Sequence, residues 1–133
     1  MEIAPELIDR IVAHARRDFP NECCGMIAVR DGRAVSVHEA ENLAASPLRF
    51  EVDGLAVHRT IEEIEGAGGE LGAIYHSHTR SDPYPSQTDI TVAAGGPGVE
   101  WLIVGLRKGS PDAEVRSYRI EDGRVIEVEV DHR

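Results

Sequence analysis

The stretch from residue 71 to residue 94 limits this chain more than any other. Residues 71–76 are a short apolar run between Gly69 and a polar segment, the pattern of a buried strand. Pro83 and Pro85 impose a loop over 79–85, because a proline lacks a backbone donor and restricts the residue before it. Ser86 is a good N-cap, and residues 87–94 read as a helix stopped by Gly95-Gly96. Another apolar run, 101–106, reads as a strand. Strand, loop, capped helix and strand in close succession require a sheet with helices packed on it.

The rest of the chain agrees with that frame. Leu7, Ile8, Ile11, Val12 and Ala15 mark one stripe of an amphipathic helix over Pro5–Asp18, with proline in its first turn. Residues 25–29 and 33–38 read as strands joined by Asp31-Gly32, a tight hairpin signal. Residues 42–47 are loop and 50–52 a short strand. A second helix is expected from about Asp53 to about Gly66. Strands at 115–120 and 125–130 flank a turn at Glu121-Asp122-Gly123-Arg124. The fold class is therefore α/β: a mixed sheet with helices packed on it, in one domain spanning 1–133.

Composition narrows the function. The 133 residues are 41% apolar and 29% charged, an ordinary globular balance. A formal net charge of -10 argues against nucleic acid, whose phosphates would be repelled, and suits a partner with a basic patch. No apolar run is long enough for a membrane span or a signal peptide, so a cytoplasmic location and no membrane partner are expected. Cys23 and Cys24 are adjacent, which makes a disulfide between them strained, so free thiols are expected. Strand alternation places Cys24 in the core and Cys23 toward solvent.

The chemistry lies at the end of the 71–76 strand. His76 and His78 stand at positions i and i+2, which point to one side of a strand. Asp89 falls in the first turn of the following helix, and the proline loop folds it back toward the imidazoles. Two histidines and an aspartate are three ligands for a tetrahedral zinc, with a fourth position open to water, which is the composition of a catalytic site. A water there needs a base. Glu22, in Pro20-Asn21-Glu22-Cys23-Cys24-Gly25 at the mouth of a core strand, is the best candidate. Ser86 can donate to the oxyanion formed when water attacks a carbonyl.

The set Glu22, His76-x-His78-x7-Ser86-x2-Asp89 resembles the JAMM, or MPN-plus, metalloprotease motif, with every position filled. The likeness to small bacterial members continues through Val12-Ala13-His14-Ala15-Arg16-Arg17-Asp18, Glu22-Cys23-Cys24-Gly25 and Ile74-Tyr75-His76-Ser77-His78-Thr79. It extends through Tyr84-Pro85-Ser86 and Arg116-Ser117-Tyr118-Arg119-Ile120. The resemblance implies a JAB/MPN fold similar to cytidine deaminase, with a mixed sheet flanked by helices. It implies Zn2+ on His76, His78 and Asp89, proton transfer by Glu22 and oxyanion stabilisation by Ser86. It further implies a ubiquitin-like sulfur-carrier protein as partner, ending in Gly-Gly, from which cysteine is released in cysteine biosynthesis. The 50–52 strand or the 79–85 loop would form a wall for the Gly-Gly tail; Arg49 and Arg80 are candidates for the product carboxylate, with solvated surface arginines as the favoured alternative. The alternatives are an isopeptidase or trimming protease for other ubiquitin-like conjugates, and a non-catalytic MPN scaffold. A homodimer stays open. A nucleoside deaminase is rejected, because Cys23-Cys24 lacks the spacing of its C-x-x-C pair.

Overall fold

The computed structural model describes residues 1–94, 98–106 and 112–131. The elements run α1 (Pro5–Asp18), β1 (Cys24–Arg30), β2 (Arg33–Ala40), α2 (Gly54–Gly66), β3 (Glu70–His78), α3 (Gln87–Ala94), β4 (Glu100–Leu106), β5 (Ala113–Glu121) and β6 (Arg124–Val128). The six strands form one sheet in the order β2-β1-β3-β4-β5-β6. Only β3 and β4 are parallel, joined by the crossover that contains α3; the other neighbours are antiparallel.

Local chemistry explains most of the boundaries. Asp31 and Gly32 both have positive φ (52° and 77°), as do Asp122 and Gly123 (50° and 76°), so each Asp-Gly pair makes the tight turn that matches strand twist. Asp53 caps α2 by accepting the Leu55 N–H at 3.3 Å. Helix α1 has no side-chain cap but starts on Pro5 and carries Arg16 and Arg17 in its last turn, where the helix dipole favours cations. The helix stop expected at Gly95-Gly96 lies outside the described residues.

The expected strand at 50–52 is absent. That segment folds back on the loop instead: Leu43 N–H donates to Glu51 O at 2.8 Å, and Glu51 N–H donates to the Asn42 side chain at 3.0 Å. Strand β3 runs two residues past its expected end at His76. It still pairs with β4 there, with His78 opposite Gly105. Both histidines thus sit inside the sheet. Strand β6 begins one residue earlier than expected and stops at Val128.

The two sheet faces are packed differently. Helix α1 lays Ile8, Ile11 and Ala15 on a closed apolar core with Ile27, Val37, Ala73, Tyr75, Leu102 and Val104. The other face, under α2 and α3, carries Met26, Ile74, His76, His78 and Trp101. It holds a half-open apolar pocket of about 260 Å³ lined by Met26, Phe50, Val57, Ile74, Val92 and Trp101. Because both faces are covered, neither Cys23, just before β1, nor Cys24, at its start, is exposed. Cys23 packs in the α1 core, against expectation, and Cys24 is buried on the opposite face. Both are free thiols. Among the described residues, no helix is long and apolar enough to cross a membrane.

Candidate metal centre and active site

Three side chains converge where β3 meets the start of α3. His76 Nε2 lies 3.2 Å from His78 Nε2 and 3.2 Å from Asp89 Oδ2, and His78 Nε2 lies 3.0 Å from the same oxygen. All three residues are buried. Two imidazole nitrogens and a carboxylate oxygen thus form a nearly equilateral triangle. Ligands at about 2.0–2.1 Å from a tetrahedral zinc stand roughly 3.3 Å apart, so the residues present fit such an ion.

The surroundings orient each donor. His78 Nδ1 donates to the Asp82 carbonyl at 2.8 Å, which turns Nε2 toward the triangle. Asp89 and Ser86 form a reciprocal cap: Asp89 N–H donates to Ser86 Oγ at 3.1 Å, and Ser86 N–H donates to Asp89 Oδ2 at 2.9 Å. Helix α3 therefore starts on the residues that place the carboxylate. Tyr118 O–H donates to the Pro83 carbonyl, seating the proline loop on β5. Phe50 stacks on His76 with ring centroids 4.7 Å apart. The sequence singles out the 50–52 segment and the 79–85 loop only as walls for a tail, and assigns Asp82, Tyr118 and Phe50 no role in orienting the donors. Tyr118 and Asp82 act through bonds to or from a backbone carbonyl, which carry no sequence signal, and Phe50 lies in a segment that alternation suggested was a strand.

Glu22 precedes β1 and reaches the cluster because β1 and β3 pair, with Cys24 opposite His76. The join is reinforced where Cys23 N–H donates to Ser77 Oγ at 2.8 Å and Ser77 N–H donates to Cys23 O at 3.2 Å. The Glu22 side chain is 4% exposed, and its Oε1 has no hydrogen-bond partner. A buried carboxyl oxygen without a partner is uncommon in a folded protein, and this one lies close enough to His78 and Asp89 to feel their charges.

Electrostatics separate the two acids. Burial raises the Glu22 carboxyl to about 7, with the nearby Asp89 charge adding to the rise and His78 opposing it. Burial also acts to raise Asp89, but the two imidazoles and the Ser86 N–H outweigh it and hold that carboxyl well below the usual range. Burial lowers His76. It acts the same way on His78, but Asp89 and the Asp82 carbonyl reverse the sign, so His78 ends above its ordinary value. With Nδ1 donating to a carbonyl, a neutral His78 turns an Nε2 lone pair toward the Asp89 oxygen 3.0 Å away, and a cation held between them would relieve that opposition.

The other expected residues lie apart from the cluster. Arg49 is exposed and pairs with Glu51 at 3.6 Å, and Arg80 is exposed on the loop after β3. Neither is shown against the three donors. Burial pushes both the Cys23 and Cys24 thiols up to about 12, which leaves them protonated and unreactive near neutrality.

The profile of the prokaryotic homologs of the JAB domain matches residues 4–121. The chain belongs to the JAB family. It is 37% identical over 130 residues to the CysO-cysteine peptidase of Mycobacterium tuberculosis, covering 94% of this chain and 86% of that one. It is also 37% identical over 125 residues to a desampylase of Haloferax volcanii, covering 89% and 86%. A solution structure from Desulfitobacterium hafniense superposes with a TM-score of 0.85 at 28% identity, over 97% of this chain and 90% of that one. This JAB-family chain is a hydrolase, a peptidase.

Proposed function

We propose that residues 1–133 act as one zinc-dependent JAMM peptidase domain that hydrolyses the amide after the C-terminal Gly-Gly of a folded, ubiquitin-like sulfur-carrier protein. The amino acid released is cysteine. The observation that carries this reading is the triangle of His76, His78 and Asp89 donors beside a buried Glu22 raised to about 7. The likeness to a CysO-cysteine peptidase over nearly the whole chain supports the substrate. His76, His78 and Asp89 would hold the ion. Zinc, when bound, would polarise the scissile carbonyl and make water a better nucleophile.

The protein's own groups do the remaining work. Glu22 withdraws a proton from the attacking water and returns it to the departing amino group, so no net proton is gained or lost. Without metal that carboxyl stands near 7, and a bound cation would lower it toward the carboxylate form that accepts the water's proton. Ser86 Oγ uses one lone pair on Asp89 N–H, and its own hydrogen stays free to donate to the oxygen on which negative charge develops. Phe50 walls the site on the His76 side, its ring stacked on the imidazole. A Gly-Gly tail is thin enough to reach buried donors, and a folded carrier supplies remote binding energy that an isolated tail lacks.

The test compares a carrier–cysteine adduct with its isolated C-terminal hexapeptide at equal concentration. The adduct should be cleaved with a much higher kcat/KM; similar values would remove the carrier reading. The 37% identity to a desampylase favours a second reading, an isopeptidase or trimming protease for other ubiquitin-like conjugates. Faster cleavage of a carrier linked to a lysine side chain than of the cysteine adduct would select it.

A further inference from the structure

We propose that Asn42 is the positioning residue for Glu22, the hub of a strap over residues 42–51 that sets where the base stands; this rests on Glu22 as the base. Asn42 follows β2, and its side chain is half-buried. Its Nδ2 donates to Glu22 O at 2.9 Å and to Arg49 O at 3.1 Å. Its Oδ1 accepts the N–H of Ala44 at 3.0 Å and of Glu51 at 3.0 Å. An asparagine amide has two donor hydrogens and two acceptor lone pairs, and here all four are used. The partners also fix the amide's orientation, since a flip would set NH2 against two N–H groups and oxygen against two carbonyls.

These four bonds join the start of the strap, its end and the base. The sheet does not do this work, because β1 pairing begins at Cys24. Both backbone polar groups of Glu22 are instead satisfied from the strap: its carbonyl by Asn42, and its N–H by the Ser46 carbonyl at 2.8 Å. The Glu22 Oε1 has no hydrogen-bond partner, so no bond on that oxygen holds the carboxyl and the placement of its backbone matters the more. The strap is itself anchored at the site. Thr79 Oγ1 bonds to the Pro47 carbonyl at 3.2 Å and the Pro20 carbonyl at 2.9 Å, and Phe50 rests on His76. Asn42 thereby couples the segment that carries the base to the loop that lies on a metal-type donor. A misplacement of about 1 Å in such a group costs roughly 100-fold in rate.

A double-mutant cycle on zinc-loaded protein tests this, with the carrier–cysteine adduct as substrate. Asn42→Asp keeps both acceptors and removes both donors. Asn42→Ser removes the same donors without adding charge, and it carries the cycle if the aspartate variant does not fold. Either should lower kcat by about 10-fold or more, with KM within about 2-fold and one zinc retained per chain. In a Glu22→Gln background the same substitution should change the residual kcat by less than about 2-fold, because the group it positions is already gone. An equal fold loss in both backgrounds overturns the proposal, as does loss of zinc from the Asn42 variants, and neither result touches Glu22 as the base. A Glu22→Gln single variant with undiminished kcat would instead overturn the base assignment and the Asn42 proposal with it.

Discussion

Replacing Glu22 by glutamine should stabilise the metal-free protein at alkaline pH while removing its activity. In the folded chain the Glu22 carboxyl titrates near 7, against an ordinary value of 4.5, and burial is the main cause. The folded state therefore holds a proton that the unfolded state has already lost. The sign follows from linkage: the stability this proton contributes is complete below pH 4.5 and is lost as pH rises through about 7. A rise of that size at about 1.4 kcal/mol per unit corresponds to roughly 2–3 kcal/mol once incomplete desolvation is allowed for. Glutamine carries no charge at any pH and so avoids that loss. His76, His78 and Asp89 are common to both proteins, and the coupling of Glu22 to His78 and Asp89 is smaller than the effect of burial. At pH 5 the two should differ by less than about 1 kcal/mol, and at pH 8 the variant should be the more stable by about 2–3 kcal/mol. For a chain of this length that is roughly 7–10 °C in Tm. Thermal unfolding in chelator, followed by circular dichroism at both pH values, measures it. Parallel Tm values for the two proteins from pH 5 to pH 8 would refute the account of a buried carboxyl held near neutrality. The same variant, loaded with zinc, should lose at least about 100-fold in kcat while keeping its metal.

Elemental analysis should find one zinc per chain, and His78→Ala should lose it, because His76 and Asp89 alone leave an incomplete donor set; full retention would remove this site from consideration. Ser86→Ala should cost about 1 kcal/mol of stability through the lost α3 cap and about 100-fold in kcat, with zinc retained, as read by denaturant titration and turnover assays. Gly25→Ala should be strongly destabilising, by about 3 kcal/mol or more, because an added Cβ would lie 2.2 Å from the fully buried Tyr75 ring, whose hydroxyl is tied to His14; a Tm within about 2 °C of the parent would contradict that packing. Cys23 and Cys24 should resist a thiol reagent in the native protein at pH 8 and react at once in denaturant, and prompt native labelling that abolishes turnover with zinc still bound would point to a thiol role instead.

Much of this protein is legible in one dimension. The amphipathic stripe of α1, the two Asp-Gly turns and the proline loop before α3 are local patterns, and the elements follow them. The His76-x-His78 pair and the Ser86-x-x-Asp89 cap are also local. Period-two alternation puts both imidazoles on one side of a strand, and a capping box ties the carboxylate to the serine. Glu22 was reached from the composition of its neighbourhood, since a charged residue at the mouth of a core strand is unusual.

Other features depended on which segments meet. Alternation alone predicts an exposed Cys23, but α1 covers that face of the sheet and Cys23 packs in its core, while Cys24 is buried on the face under α2 and α3. The 50–52 segment looked like a strand because its residues suit one. Asn42 instead captures Glu51 N–H, so the segment turns back and lays Phe50 on His76. The carbonyls that orient the site belong to the backbone of Asp82 and Pro83, and any side chain could stand in front of them. Above all, the register of β1 against β3 brings Glu22 to the imidazoles, and burial on that face gives its carboxyl the raised affinity for a proton. Residue identity sets what a group can do; its dielectric surroundings and long-range partners are properties of the assembled sheet, and they exist only once the chain has folded.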